Sequence, residues 1–360
     1  MKIGILTGGG DCPGLNAVIR GVVKTAVQQY EMDVIGIIDG YYGLVNNNVM
    51  KLKLEDVSGI MPRGGTILGT TNICNPFNYF SVVNGKKVYS DVSDKVIENI
   101  KKNNIEVIIA IGGDGTLAIA YEFFKKGVPV VGIPKTIDND LFSTDVTFGF
   151  DTAILTATEA IDKIHTTAES HHRAMIIEVM GRNAGWIALH SGIAGGAHII
   201  LIPEIPFDYD AVIKKIYERK ENGKHFSIIV VAEGAKPTGG DVVVKKIVED
   251  GTEPRRLGGI GNRVGDEIER MTGIETRVTT LGHIQRGGSP SPFDRILATR
   301  FGAEAVALIA KKEFGKMVSL RTPEIVSIPL EEAIGKQRLV PLDSGYIKAA
   351  RLIGISFGDK

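Results

Sequence analysis

Two runs decide how this chain folds: Val107-Ile108-Ile109-Ala110-Ile111-Gly112-Gly113-Asp114-Gly115-Thr116 and Val128-Pro129-Val130-Val131-Gly132-Ile133-Pro134-Lys135-Thr136-Ile137-Asp138-Asn139-Asp140. Each begins with a short β-branched apolar stretch and breaks off at glycine or proline. That pattern reads as a buried parallel strand followed by its carboxyl-end turn. In open α/β sheets, ligands bind at those ends. Two turns able to approach phosphate, with Asp114, Asp138 and Asp140 beside them, suggest phosphoryl transfer.

Outward from these runs, strand and helix patterns alternate. Strands are expected at residues 2–6, 34–38, 175–179, 199–202 and 227–232. Helices are expected at 15–29, 93–102 (with Ser93 as cap), 151–168, 209–222 and 297–312. This alternation implies an α/β fold with mainly parallel sheets and helices on both faces. Residues 236–262, rich in Gly, Pro and charge, read as a mobile excursion, and Trp186 as lobe core.

The chain has 360 residues, more than one ordinary domain, and 43% of them are hydrophobic. Lys+Arg and Asp+Glu both total 42, which argues against nucleic acid as the main partner. Two cysteines, Cys12 and Cys74, build no disulfide framework and fit a reducing, cytoplasmic setting. No stretch approaches 18 apolar residues, so no membrane span is expected, and the amino terminus reads as a strand rather than a secretory signal.

The first glycine-rich loop, Gly8-Gly9-Gly10-Asp11-Cys12-Pro13-Gly14, misses the dinucleotide fingerprint because Pro13 occupies the third glycine's place. No Walker A loop exists, since no Gly-Lys pair is followed by Ser or Thr. Gly9 and Gly10 still allow close backbone approach to a phosphate, and a helix amino terminus follows. Asp114 at a strand end suits Mg²⁺ bound to phosphate oxygens. Asp138 and Asp140 alternate, so an extended chain turns both to one face: one to accept a hydroxyl proton, the other to support the metal or a cation. The bland readings are a capped turn for Asp114 and an Asx turn with solvated acids for Asp138 and Asp140. Isolated arginines are more often surface ion pairs than ligands. His165, His171, His172, His190, His198 and His225 lack zinc spacing, and nothing marks Cys12 as a nucleophile.

Taken together, Gly8 to Asn16, Gly64-Gly65-Thr66, Gly112 to Thr116, Pro134 to Asp140, Met180-Gly181-Arg182, Ala232-Glu233-Gly234 and Leu281 to Gly288 closely resemble the 6-phosphofructokinase family, over nearly the whole chain. The resemblance implies two Rossmann-like lobes with the active site in the cleft between them. It implies a donor lobe over 1–150, completed by about 285–335, and a sugar-phosphate lobe over 151–284, completed by about 336–360. It implies a kinase that moves the ATP γ-phosphoryl group to the 1-hydroxyl of fructose 6-phosphate, in a homotetramer or dimer. Gly10, Gly113, Asp114, Gly115 and Thr116 would hold the nucleotide phosphates, with Asp114 at Mg²⁺. Asp138 would be the general base, with Thr136 and Asp140 positioning acceptor and metal-phosphate end. Met180, Gly181, Arg182 and Glu233 would hold the sugar, Arg182 counting among the catalytic groups, while His283 and Arg286 grip the 6-phosphate. Arg173 and Arg277 would reach a neighbour's site.

The donor markers disagree. Gly115 leaves room for the ATP α-phosphate, where pyrophosphate users usually carry a second aspartate; Lys135 matches pyrophosphate users. Gly115 is the more direct of the two, because an added carboxylate excludes a phosphate by bulk and charge. The family's usual donor-side arginine is missing from Thr70 to Asn75. At the ADP-type effector site, Lys24, His165 and His198 depart from the bacterial pattern, which implies altered allosteric control. A pyrophosphate-dependent phosphotransferase, a kinase for sedoheptulose 7-phosphate and a catalytically silent sugar-phosphate or nucleotide sensor are the competing readings.

Overall fold

The computed structural model describes residues 1–83, 85–247 and 255–360. Its strands are Lys2–Thr7 (β1), Asp33–Ile37 (β2), Val49–Leu52 (β3), Tyr79–Val83 (β4), Lys86–Ser90 (β5), Val107–Gly112 (β6), Val130–Pro134 (β7), Ala174–Val179 (β8), Ile199–Leu201 (β9), Ser227–Ala232 (β10), Val244–Ile247 (β11), Arg255–Leu257 (β12), Thr276–Thr280 (β13), Lys316–Arg321 (β14) and Glu324–Pro329 (β15). The helices are Leu15–Tyr30 (α1), Tyr41–Asn46 (α2), Ser93–Lys102 (α3), Asp114–Lys125 (α4), Phe150–His171 (α5), Trp186–Ala194 (α6), Tyr209–Glu221 (α7), Ile260–Thr272 (α8), Pro292–Ala310 (α9), Leu330–Ala333 (α10) and Gly345–Leu352 (α11).

Two sheets organise the chain into two α/β lobes. The larger runs β15-β14-β7-β6-β1-β2-β3, parallel except at its edge strands β3 and β15. The smaller runs β13-β8-β10-β9 and is wholly parallel. Every residue of β6, β8 and β10 is buried, which explains their mainly apolar reading; Glu178 in β8 is the charged exception, its carboxylate accepting the Gly259 and Gly261 amides. The chain leaves β1 for β2 on one side and returns to β6 on the other, so the strand order reverses between β1 and β6. Thr7 pairs with Ile111 there, which sets the first glycine loop beside Gly112-Gly113-Asp114. In the smaller sheet Val179 pairs with Ala232, so Met180 and Glu233 leave neighbouring strand ends. One apolar core runs from Ile3 and Val18 through Phe148 and Ile161 to Ile177 and Val230, joining both lobes.

A polar knot holds α5 against α9. Buried Asp294 Oδ2 accepts hydrogen bonds from the Thr152 amide (2.8 Å) and hydroxyl (2.5 Å). Ser291 Oγ accepts from the Asp294 amide at 3.2 Å and donates to Asp151 Oδ2 at 2.5 Å. Burial pushes the Asp294 carboxyl up to about 6.

Several sequence expectations shift. The helix expected from 297 begins at Pro292, because Ser291 caps it and proline is favoured in a first turn. Ser93 is the first helical residue, not the cap; its amide donates to Asp91 Oδ1 at 2.8 Å. Asp114 to Thr116, expected as turn, form the opening turn of α4. The 236–262 stretch contains β11, β12 and the start of α8, and its residues 248–254 lie outside the described residues. Trp186 is buried as expected.

Candidate active site

The floor of the cleft is the β1/β6 reversal. The Gly8 amide donates to the Ile111 carbonyl at 2.9 Å, and the Lys135 amide to the Gly112 carbonyl at 3.0 Å, so three strand ends are laced together. Thr70 Oγ1 donates to the Gly9 carbonyl at 2.6 Å, and Lys135 Nζ donates to the Gly10 carbonyl. Gly10 lets the Arg286 guanidinium lie against the loop backbone; a Cβ there would displace that guanidinium. Gly10, Gly113, Asp114, Gly115, Thr116, Thr136, Asp138, Arg182 and Arg286 all line this cleft, with Asp11, Asn72 and Lys135 between them.

Asp138 sits at its centre and is buried. The Asp138 amide donates to Thr136 Oγ1 at 3.1 Å, and its Oδ1 has no hydrogen-bond partner among the described residues. A buried carboxylate oxygen left unsatisfied costs free energy unless something else meets it. Burial raises the carboxyl above its ordinary range, and Arg286, Arg182 and Lys135 pull it back down. Asp140 is pushed up to about 7, first by desolvation and then by the charge of Asp138. The two aspartates come together, but not along an extended chain. Asn139 between them takes φ 54°, the left-handed region, and its Oδ1 accepts from the Thr147 amide at 3.1 Å.

A second wall follows from the ends of β8 and β10. Met180 is buried, Gly181 has φ 137° and Arg182 has φ 52°. The Arg182 amide donates to Glu233 Oε1 at 3.1 Å. Desolvation pushes the Glu233 carboxyl up to about 7. Burial lowers the Arg182 guanidinium, against the pull of Asp138, Asp140 and Glu233. Arg286 ends the short turn Gly282–Arg286 and is half-buried, while His283 in the same turn is exposed.

Arg173 and Arg277 are not gathered here. Arg173 precedes β8 and Arg277 is the second residue of β13, at the amino ends of the smaller sheet. Both pair with exposed Glu275, Arg173 through Nε at 2.8 Å.

Sequence reasoning treated Lys135 only as a donor marker. It is a buried cation facing the same cleft as Asn72, and burial lowers its ammonium below the usual lysine range. Asp114 Oδ1 accepts the Gly335 amide at 2.7 Å, a contact across 221 residues that no local signal announces. Cys12 is buried in the first loop, its thiol directed at the Phe148 carbonyl at 3.7 Å, and burial pushes it up to about 12.

For a metal, the donor set is sparse. Among the described residues no cluster of three or more His, Cys, Asp or Glu forms a cage. One carboxylate beside glycine amides fits Mg²⁺, which is held by one or two carboxylates plus substrate phosphates and water.

The Phosphofructokinase family model matches residues 2–309, and the chain belongs to that family. It is 56% identical to the "ATP-dependent 6-phosphofructokinase 2" of Clostridium perfringens (strain 13 / Type A), over 99% of this chain and 98% of that protein. It is 50% identical to the "Pyrophosphate--fructose 6-phosphate 1-phosphotransferase" of Streptomyces coelicolor, over 99% of this chain and all of that protein. The Pichia pastoris phosphofructokinase crystal structure in the T-state superposes with a TM-score of 0.79 at 33% identity; the match covers 92% of this chain and 35% of that one. The two-lobe architecture above accords with that likeness.

Proposed function

We propose that the protein is an ATP-dependent 6-phosphofructokinase of glycolysis, transferring the γ-phosphoryl group of ATP to the 1-hydroxyl of fructose 6-phosphate. The observation that carries this is Asp138: a buried, raised carboxylate with one oxygen unpartnered among the described residues, flanked by Arg182, Arg286 and Lys135 and lining the cleft that Asp114 also lines. A base works best when its pKa approaches the operating pH. Burial moves Asp138 in that direction, and the three cations keep it ionisable. On this reading Asp138 takes the 1-hydroxyl proton while Thr136 and Asp140 hold the reacting ends in place. Gly10 and Gly113 to Thr116 receive the donor phosphates. Asp114 would hold Mg²⁺, whose contribution is to neutralise charge on the β- and γ-oxygens. Met180, Gly181, Arg182 and Glu233 hold the sugar. His283 and Arg286 take the 6-phosphate, arginine giving an always-charged planar fork. Lys135 supplies the cation that the Thr70 to Asn75 segment lacks.

The donor lobe is 1–150 with about 285–335, and the sugar lobe 151–284 with about 336–360. Arg173 and Arg277 act in a neighbouring subunit's site, within a homotetramer or dimer. The setting is the cytoplasm; among the described residues no helix is long and apolar enough to cross a membrane.

Pyrophosphate as donor is the second reading, favoured by Lys135 in the cleft and by the Streptomyces relative. The test is purified protein with fructose 6-phosphate and either Mg-ATP or Mg-pyrophosphate. Product with ATP alone supports the first reading, and product with pyrophosphate alone the second. No product with either favours a silent sensor.

A further inference from the structure

Residues 335–340 lie beyond the span matched by the family model, which ends at 309. They cross from the donor rim to the second lobe. The Gly335 amide holds Asp114 Oδ1 at 2.7 Å. Gln337 forms an antiparallel bridge with Leu141, and its Oε1 accepts from Asn183 Nδ2 at 3.3 Å. The Val340 amide donates to Glu204 Oε1 at 2.9 Å, and the same carboxylate takes the Gly185 amide at 3.0 Å.

Arg338 makes the central contacts. Its amide donates to the Asp140 carbonyl at 2.8 Å, and its Nη1 to the Asn139 carbonyl at 3.4 Å. Its own carbonyl accepts Trp186 Nε1–H at 2.8 Å, and its guanidinium lies 4.3 Å from the Trp186 ring centre. One residue therefore grips the two carbonyls that follow Asp138 and fastens them to the start of α6 in the other lobe. Asn139 sits at φ 54°, a left-handed turn that asparagine tolerates and that the Arg338 contacts to the Asn139 and Asp140 carbonyls pin in place.

We infer that Arg338 is a positioning residue: it clamps the Asn139-Asp140 turn between the lobes and so fixes where Asp138 presents its carboxylate. Arginine suits this task because a planar guanidinium stacks on an indole while still donating in plane. A base displaced by about 1 Å loses turnover on the order of a hundredfold without losing the substrate.

The kinetic arm of the test rests on the phosphofructokinase reading; the structural arm does not. Trp186 is the sole tryptophan of the chain, so its emission reports the clamp directly. Arg338→Ala is expected to lower kcat about thirtyfold, with KM for both substrates within about threefold. Its tryptophan emission should change, and amides at 139–141 should exchange faster. Arg338→Lys should recover part of kcat but not the stacked emission. Trp186→Phe loosens the clamp from the other side and should lower kcat in the same sense; the double variant should be no worse than Arg338→Ala. If Arg338→Ala fails to fold, Arg338→Lys and Trp186→Phe decide.

Arg338→Ala with altered emission and wild-type kcat would overturn the proposal. Unchanged amide exchange at 139–141 would overturn it too, as would a loss confined to KM. Wild-type protein inactive with both donors would refute the enzymatic reading alone, and the exchange measurement would still judge the clamp.

Discussion

The two ends of the smaller sheet carry similar residues with opposite physics. At the carboxyl ends of β8 and β10, Arg182 and Glu233 are largely withdrawn from water. Burial lowers the arginine and pushes the glutamate up to about 7. At the amino ends, Arg173, Glu275 and Arg277 form ion pairs in solvent, and the Arg173 hydrogen bond holds Glu275 below its ordinary range. Exposed pairs of this kind contribute little to stability. The difference shows that the strand rim, not the residue type, decides whether a charge is tuned for chemistry. The amino-end arginines stand away from the cleft that Asp138 lines.

The contrast breaks most decisively at Asp138. Asp138→Asn should lower kcat about 10²–10⁴-fold with sugar binding largely retained; steady-state kinetics with near-wild-type turnover would remove Asp138 from its role. Next comes Glu233. Its folded carboxyl stands near 7 against an ordinary 4.5, so its contribution to stability is fully present below about 4.5 and is lost as pH rises through 7. Glu233→Gln should therefore gain on wild type between pH 4.5 and 7, by roughly 3 kcal/mol at about 1.4 kcal/mol per pH unit. Parallel denaturation curves across that range, with no growing difference, would reject the buried-acid account.

At the donor rim, Gly115→Asp should cut kcat/KM for ATP about tenfold or more and spare pyrophosphate, through repulsion and crowding. Equal losses on both donors would defeat the Gly115 argument. The smallest effect sharpens the amino-end side. Arg173→Ala should raise KM for fructose 6-phosphate about tenfold, the worth of one charged hydrogen bond, while thermal stability stays near wild type. Mixed oligomers of Arg173→Ala with Asp138→Asn should then regain activity if the arginine serves a neighbour. No regain on mixing would confine Arg173 to its own chain.

Much of this was legible beforehand, and the reasons are local. Residues 93–102 and 227–232 were bounded correctly because their apolar periodicity ends where solvent or glycine begins. The strand-end glycines and acids stood together because parallel strands place their loops at one rim. What escaped is what depends on distant partners. The edge strand β15 alternates exposed and half-buried side chains and carries no strong pattern. The left-handed Asn139 defeated the extended-chain argument for Asp138 and Asp140, since an asparagine tolerates αL without announcing it. Gly335 and Arg338 reach the site from the far end of the chain, and nothing near them in sequence says so.

Cys12 lies two residues beyond Gly10 in the first glycine-rich loop, yet its sulfur is sealed beneath Gly149 and Phe148 and remains a thiol at any physiological pH. Peroxide and alkylating reagents attack thiolates. The protein thus keeps a sulfur in its first glycine-rich loop out of reach of such reagents, and peroxide should leave Cys12 unmodified in the folded protein.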